Sequence, residues 1–151
     1  MVRRIVSGFP GVGKSFFQKQ AVPGTSVWDL DISGYLHAED FPFNYGKAIE
    51  SHLQQQHSVM VSSSRHLRHV LEVYQWSYYL VYPSVDCFEE YIDRFIDRGS
   101  DIRFLRYMGE NWDSLLRDCK IPTAGAHQIE LRPGQYLSDV LLATPRGIVC
   151  Q

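Results

Sequence analysis

The sequence predicts an α/β fold in which a five-stranded parallel sheet carries helices on both faces. Short apolar segments rich in β-branched residues alternate with segments whose apolar residues recur at helical spacing, and this alternation is typical of parallel sheets. The chain has 151 residues, 44% of them hydrophobic and 21% charged, which suits a single domain (1–151) with its own core. Glycines follow the first apolar segment directly, as they do where a strand leads into a tight loop. We therefore expect five strands wound around the first one.

The first strand, the first helix and the second strand are predicted from the N-terminal part of the chain. Residues 3–7 form a short β-branched apolar run, which predicts a buried strand. Residues 14–21 have helical composition, and Pro23 follows their end. Apolar and acidic side chains alternate in residues 27–31, and this alternation predicts the second strand.

The middle of the chain continues the same pattern. Residues 44–56 place their apolar side chains on one face of a helix. Residues 59–61 are apolar and β-branched, which predicts a third strand that stops at three serines. The last of these, Ser64, is expected to cap a helix over residues 65–74.

The fourth predicted strand, residues 76–82, is aromatic and apolar throughout. Such a run is typical of a strand that is buried on both faces, so we expect its tyrosines in the core rather than on a base-stacking surface. The elements predicted after it are a helix between Ser84 and Gly99, a helix over 101–120, a strand over 128–131 and a closing helix over 136–142.

Composition and charge exclude several classes of protein. The formal net charge of -2 gives no overall basic excess for nucleic acid binding. No apolar run reaches the roughly 18 residues of a membrane span, and the N-terminus lacks the apolar stretch of a signal peptide. Cys87, Cys119 and Cys150 are odd in number and widely spaced, which favours free thiols in a reducing cytoplasm over disulfides or a zinc site.

Residues 8–15 carry the pattern GxxxxGK[ST] between the first predicted strand and the first predicted helix. Glycines let the backbone wrap around an anion with its N–H groups turned inward, and the helix N-terminus adds the positive end of its dipole. Lys14 is expected to place its charge between the β- and γ-phosphates, and Ser15 to offer its hydroxyl to Mg²⁺. This most specific signal in the sequence predicts binding of ATP with Mg²⁺.

The loop resembles that of the P-loop NTPases, which implies a three-layer P-loop NTPase fold. The chain has no NKxD segment, with which GTPases read guanine, and the strand over 59–61 ends in serines where motor-type ATPases carry an aspartate. The segment Asp29-Leu30-Asp31 is instead similar to the DxD of shikimate-kinase-like and polynucleotide-kinase-like enzymes. The resemblance therefore favours a small kinase.

The two aspartates of this segment can divide the work of phosphoryl transfer. Strand alternation points Asp29 and Asp31 to the same side, with Leu30 on the other. By the resemblance, Asp29 joins the metal shell and Asp31 accepts a proton from the attacking hydroxyl. The reverse assignment stays open, and so does a purely structural role in capping a turn.

Arg94 and Arg98 lie four residues apart and share one helix face. Arginines at this spacing open a lid in adenylate-kinase-like and shikimate-kinase-like proteins, so the resemblance implies a short helical lid over about 94–120. It also implies that Arg94 stacks on the adenine, that Arg98 reaches the phosphates and that Arg132, after the last strand, is a further nucleotide contact. The alternatives are a solvated helix face whose acidic residues pair with the arginines, and a plain turn at Arg132.

Over most of its length the chain is similar to the small P-loop kinases that bacteriophages often encode. The residues expected to act in catalysis are Lys14, Asp31 and Arg98. Those expected to hold Mg²⁺ are Ser15 and Asp29. Those expected to bind the nucleotide are Gly8, Gly11, Val12, Gly13, Lys14, Ser15, Phe16, Arg94 and Arg132.

The resemblance implies ATP-dependent transfer of a γ-phosphate to a hydroxyl or phosphate of a nucleoside- or nucleotide-like acceptor. Ser62 to Arg65 lie where related kinases place the acceptor loop, although Ser64 has the alternative role of a cap. Two other readings stay open: a kinase of hydroxymethyluracil in phage DNA, and an ATP-binding module without transfer activity. We expect no membrane partner and a cytoplasmic location, in the host if a phage encodes the chain.

Overall fold

The strands of the main sheet form at the apolar segments of the sequence, as a computed structural model of residues 1–151 shows. They are β1 (Ile5–Gly8), β2 (Val27–Asp29), β3 (Ser58–Ser62), β4 (Tyr78–Pro83) and β5 (Ala126–Leu131). All neighbours pair in parallel in the order β2-β3-β1-β4-β5, with β1 in the centre. The predicted α/β fold, with five parallel strands wound around the first, is confirmed.

Helices connect the strands and flank the sheet. They are α1 (Lys14–Gln20), α2 (Phe43–Gln54), α3 (Arg65–Val73), α4 (Phe88–Asp97), α5 (Ile102–Lys120) and α6 (Leu137–Val140). Gly99, at a φ of 82°, follows the end of α4, and the Asp101 carboxylate caps α5 by accepting from the N–H of Phe104. None of these helices combines the length and apolar character needed to cross a membrane.

The core lies between the sheet and its helices, and β4 runs through it. All six residues of β4 are buried, so the tyrosines within it are core residues, as expected from an apolar run of this length. Aromatic side chains then join the helices to the loop after β1. Phe9 in that loop lies 5.6 Å, ring centroid to ring centroid, from Trp112 of α5, and the Trp112 indole N–H donates to the Val85 carbonyl at 2.9 Å.

Helix α5 is part of the core over its second half. Met108, Trp112, Leu116 and Cys119 are buried, at the spacing of one helix face. The lid over about 94–120 stays a prediction, but these contacts hold its C-terminal portion against the sheet. Any closing movement is therefore expected in residues 97–106 alone.

The closing helix predicted over 136–142 is wrong. Only the single turn of α6 is helical, and the chain then forms an antiparallel hairpin of β6 (Leu141–Thr144) and β7 (Gly147–Cys150). A bridge between Arg3 and Ile148 ties this hairpin to the start of the chain. Gly147 allows the approach, because it has a φ of 135° and a Cβ there would lie 2.9 Å from the Arg3 carbonyl oxygen.

Candidate phosphate-binding site

A cleft of about 810 Å³ opens where β1, β2 and β3 end. Loops at the carboxyl ends of parallel strands meet at one edge of the sheet, so residues far apart in sequence converge there. The predicted site residues that line it are Gly11, Gly13, Lys14, Ser15, Phe16, Asp29, Asp31, Arg94 and Arg98. Most of the residues that line the cleft could therefore be predicted from the sequence.

The loop between β1 and α1 has the backbone that an anion-binding turn requires. Gly11 has a φ of 89° and Gly13 a φ of 97°, values that residues with a Cβ rarely adopt. A Cβ on Gly11 would also lie 2.9 Å from the Tyr91 ring. Val12 between them is fully buried; its N–H donates to the Phe9 carbonyl oxygen at 3.3 Å and its carbonyl oxygen accepts from the N–H of Leu137 at 2.9 Å, so it holds the loop in shape. Gly8 does not line the cleft, but its carbonyl oxygen accepts a hydrogen bond from Lys14.

Lys14 begins α1 and carries a mostly dehydrated ammonium group. Its Nζ donates to the Gly8 carbonyl oxygen at 2.8 Å. Burial lowers the pKa of Lys14 to about 8, the Asp29 carboxylate opposes that change, and the Arg98 guanidinium adds to it. The Lys14 ammonium is therefore poorly solvated in the cleft, and a bound anion would stabilise its charge.

Ser15 and Asp29 meet at the mouth of the loop. The Ser15 hydroxyl donates to Asp29 Oδ2 at 3.0 Å, which joins α1 to the end of β2. Two oxygen ligands on one side suit Mg²⁺, which usually keeps several waters and takes few protein ligands. No group of three or more His, Cys, Asp or Glu side chains is placed to hold a metal by itself.

Asp31 lies in the same cleft just beyond β2, but it has a structural task as well. Its Oδ1 accepts from the N–H of Ser33 at 3.0 Å and caps a single 3-10 turn, Ile32–Gly34. Its Oδ2 makes no hydrogen bond within the protein. Between the two aspartates, the Leu30 carbonyl accepts from the buried Tyr45 hydroxyl. The segment is thus held by its backbone, with one oxygen of Asp31 free.

Arg94 is placed differently from the adenine-stacking role that the resemblance implied. Its side chain is 12% exposed and pairs with Glu90 one turn earlier on α4, as the alternative of acidic pairing proposed. Its Nη1 donates to the Gly11 carbonyl oxygen at 2.8 Å, and its Cζ lies 3.8 Å from the Tyr136 ring centroid and 4.4 Å from that of Tyr91. Arg94 is therefore engaged with the loop itself.

Arg98 directly follows α4 and is an exposed residue at the cleft. Its Nε donates to the Ser100 hydroxyl at 3.2 Å, and its Cζ lies 4.8 Å from the Phe95 ring centroid. Partial burial lowers its pKa, and the guanidinium stays charged at any physiological pH. Arg98 is thus the arginine that is free to reach a phosphate.

Arg132, the nucleotide contact expected after the last strand, is replaced in the cleft by another side chain. Arg132 is exposed and does not line the cleft. Tyr136, which the sequence did not single out, takes that place: it is 39% exposed, and a Cβ on Gly13 would lie 3.0 Å from its ring. Its only sequence signal was an aromatic residue just after the Arg132-Pro133-Gly134 turn.

The serines after β3 divide between the cleft and the helix. Ser62 lines the cleft, and its hydroxyl accepts from the N–H of Ser64 at 3.1 Å. Ser64 occupies the N-cap position of α3, but its side chain makes no capping hydrogen bond. Both Arg65 and the buried Arg68 pair with Asp118 of α5, so the basic end of α3 points away from the cleft.

Comparisons of the chain with known protein families, with curated proteins and with solved structures found no match. The chemistry of the cleft therefore has to be argued from its own residues. It offers a loop with two glycines at positive φ, a mostly buried ammonium, a hydroxyl–carboxylate pair and a second carboxylate, which together suit a polyphosphate and a divalent cation.

Proposed function

We propose that the protein is an ATP-dependent phosphotransferase with a three-layer P-loop NTPase fold, of the small P-loop kinase type. The observation that carries the proposal is the hydrogen bond from Ser15 to Asp29, next to a glycine loop at the centre of a parallel sheet. It brings the hydroxyl of the loop and a carboxylate of the neighbouring segment to one point. A pair of oxygens there has a clear use in holding the Mg²⁺ of a nucleotide.

The charges of the cleft fit a triphosphate. Lys14 offers its ammonium at the glycine loop, and Arg98, which lines the same cleft, offers a guanidinium. Both have their pKa lowered by burial, so an anion relieves a cost as it binds. Ser15 and Asp29 would hold the metal ion, whose charge stabilises the developing charge on the phosphoryl oxygens.

Asp31 is the general base of the proposed reaction. Its unpaired Oδ2 accepts the proton of an acceptor hydroxyl, whose oxygen forms the new bond to the γ-phosphorus. The bond from that phosphorus to the β–γ bridging oxygen breaks, and the electron pair leaves with ADP. The Oδ1 bond to the Ser33 N–H keeps the carboxylate oriented during the transfer.

The nucleobase is assigned to the Tyr136 side of the cleft. Tyr136 packs over Gly13, and part of its ring stays exposed. An exposed aromatic ring beside the phosphate loop can stack on a base. Arg94 is left with a supporting role, because its guanidinium is already bonded to the loop.

The acceptor is a hydroxyl, or a phosphate, of a nucleoside- or nucleotide-like molecule, and DNA that carries hydroxymethyluracil is one such acceptor. A cytoplasmic enzyme, in the host if a phage encodes it, meets these molecules. The second candidate is a module that binds ATP without transfer. Asp31 distinguishes the phosphotransferase from the binding module, because a protein that only binds ATP needs no general base with a free oxygen beside the γ-phosphate.

Calorimetry tests nucleotide binding directly. Lys14→Ala should weaken MgATP binding by about 10–100-fold, the loss expected for one charge-assisted contact. Lys47→Ala on the exposed face of α2 is the matched control and should bind like the wild type. Wild-type affinity in Lys14→Ala would refute the site.

Transfer is tested with radiolabelled ATP and a panel of nucleosides, nucleotides and hydroxymethylated DNA. Asp31→Asn should lower the rate by about 10²–10⁴-fold while ATP affinity stays within about threefold. Normal turnover in this variant would move the base role to Asp29. No turnover by the wild type on any acceptor would favour the binding module.

A further inference from the structure

The glycine loop between β1 and α1 is held by Arg94 of α4. Besides its bond to the Gly11 carbonyl, the guanidinium donates through Nη2 to Glu90 Oε2 at 2.5 Å and to the Gln135 carbonyl oxygen at 3.2 Å. One side chain thus joins helix α4, the glycine loop and the turn that precedes Tyr136. All three border the cleft.

Glu90 is the only carboxylate that pairs with this guanidinium. It also accepts from the N–H of Gly134, at 2.9 Å through Oε1 and at 3.2 Å through Oε2. That N–H makes no other hydrogen bond within the protein. Removing the carboxylate would leave both Arg94 and the Gly134 N–H without their partner, and a largely buried guanidinium without a counter-ion turns towards water.

The bond to Gly11 fixes the orientation of a peptide in the loop. A carbonyl oxygen and the N–H of the next residue belong to one plane, so the bond from Arg94 to the Gly11 carbonyl and the bond from the Val12 N–H to the Phe9 carbonyl oxygen at 3.3 Å hold the same peptide. Gly11 has no Cβ and a φ of 89°, so little in its own backbone opposes rotation. A fixed peptide at Gly11 holds the course of the chain into Gly13 and Lys14, and an anion is bound best by N–H groups that are already in place.

We propose that Glu90 is a positioning residue, which prepares the phosphate loop by holding Arg94 against the Gly11 carbonyl. The inference rests on the proposed function, because a prepared loop has a purpose only if a polyphosphate binds there. Glu90 itself does not line the cleft, so it acts through Arg94.

Glu90→Ala tests the proposal, with Glu89→Ala as the matched control. Glu89 is the adjacent, exposed residue of α4, carries the same charge and forms no ion pair. In nucleotide-free protein, the backbone amide resonances of Gly11 and Gly13 should shift or broaden in Glu90→Ala and stay in place in Glu89→Ala. The Kd for MgATP should rise about tenfold in the first variant and stay within about twofold of the wild type in the second.

Glu90→Gln supplies the rescue that a merely structural role would not show. Its amide oxygen can still accept from Arg94 and from Gly134, so the Kd should return to within about threefold of the wild type. Unchanged glycine amides together with an unchanged Kd in Glu90→Ala would overturn the proposal. So would a Glu90→Gln that binds as weakly as Glu90→Ala.

Should Glu90→Ala fail to fold, Arg94→Lys takes its place. A single ammonium cannot reach the Gly11 carbonyl, Glu90 and the Gln135 carbonyl as the planar fork does, so the same two glycine amides should move. Amides that stay in place would overturn the proposal. Because the glycine spectra are recorded without nucleotide, they test the positioning even if the wild type binds no ATP, an outcome that would refute the proposed function instead.

Discussion

Nucleotide binding should be coupled to protonation of Lys14, and raising the pH from 7 to 9 exposes that coupling. Burial places the pKa of Lys14 at about 8 in the free protein. The ammonium is therefore about 90% protonated at pH 7 and about 10% protonated at pH 9. A bound triphosphate favours the charged form and raises this pKa, so the complex keeps its proton over the whole range.

The sign and size of the effect follow from this difference. The complex holds more protons than the free protein between pH 7 and pH 9, so affinity falls as the pH rises, by about tenfold over that range. At pH 8 about half a proton should be taken up for each nucleotide bound. Calorimetry in two buffers with different ionisation enthalpies measures both the affinity and the proton uptake.

Lys14→Arg is the control for this experiment. Arginine keeps its charge at pH 9, so the part of the pH dependence that comes from Lys14 should vanish, and the part that comes from the nucleotide should stay. Equal affinities at pH 7 and pH 9 in the wild type would refute the reasoning. An equal decline in both proteins would do so as well.

Three further outcomes follow from the site and the core. Asp29→Asn should weaken Mg²⁺ binding to the ATP complex by about tenfold, measured by titrating Mg²⁺ calorimetrically, and leave metal-free ATP binding unchanged. Trp112→Ala should lower the free energy of unfolding by about 3–5 kcal/mol in urea denaturation, whereas exposed Tyr107→Ala on the same helix should change it by less than about 1 kcal/mol. Burial and the neighbouring His57 lower the pKa of His52, so near pH 6 the unfolded chain binds more protons than the folded protein. The melting temperature should therefore fall between pH 7 and pH 5, and His52→Gln should reduce that fall.

The central strands and the loop could be predicted from the sequence because local rules govern them. Strand β4 is buried on every residue, and burial on both faces selects a continuous apolar run. The glycines at 11 and 13 need positive φ angles, which few other residues tolerate. A structural requirement of this kind restricts the residue type at the position itself, so it can be read from the sequence.

The remainder of the site depends on contacts between distant segments. Glu90 and Gly134 are 44 residues apart in the chain, and neither carries a local pattern that predicts the other. Arg94 shows the same limit, since helix spacing predicted its face but not its bond to the Gly11 carbonyl, 83 residues away. The C-terminal hairpin was missed for a local reason: its strands have four residues each, too few to distinguish alternation from one helical turn.

The bridge between Arg3 and the hairpin joins two segments that are synthesised far apart in time. The N–H of Arg3 donates to the Ile148 carbonyl oxygen at 3.0 Å, and the N–H of Ile148 donates to the Arg3 carbonyl oxygen. Ile148 is synthesised more than 140 residues after Arg3, so the backbone of Arg3 lacks this partner while all of those residues are made. The central strand β1 begins two residues further on, and β3 and β4 emerge well before the hairpin. A nascent sheet can therefore assemble around β1 before the backbone of Arg3 is paired, and that pairing forms only once β7 has been synthesised.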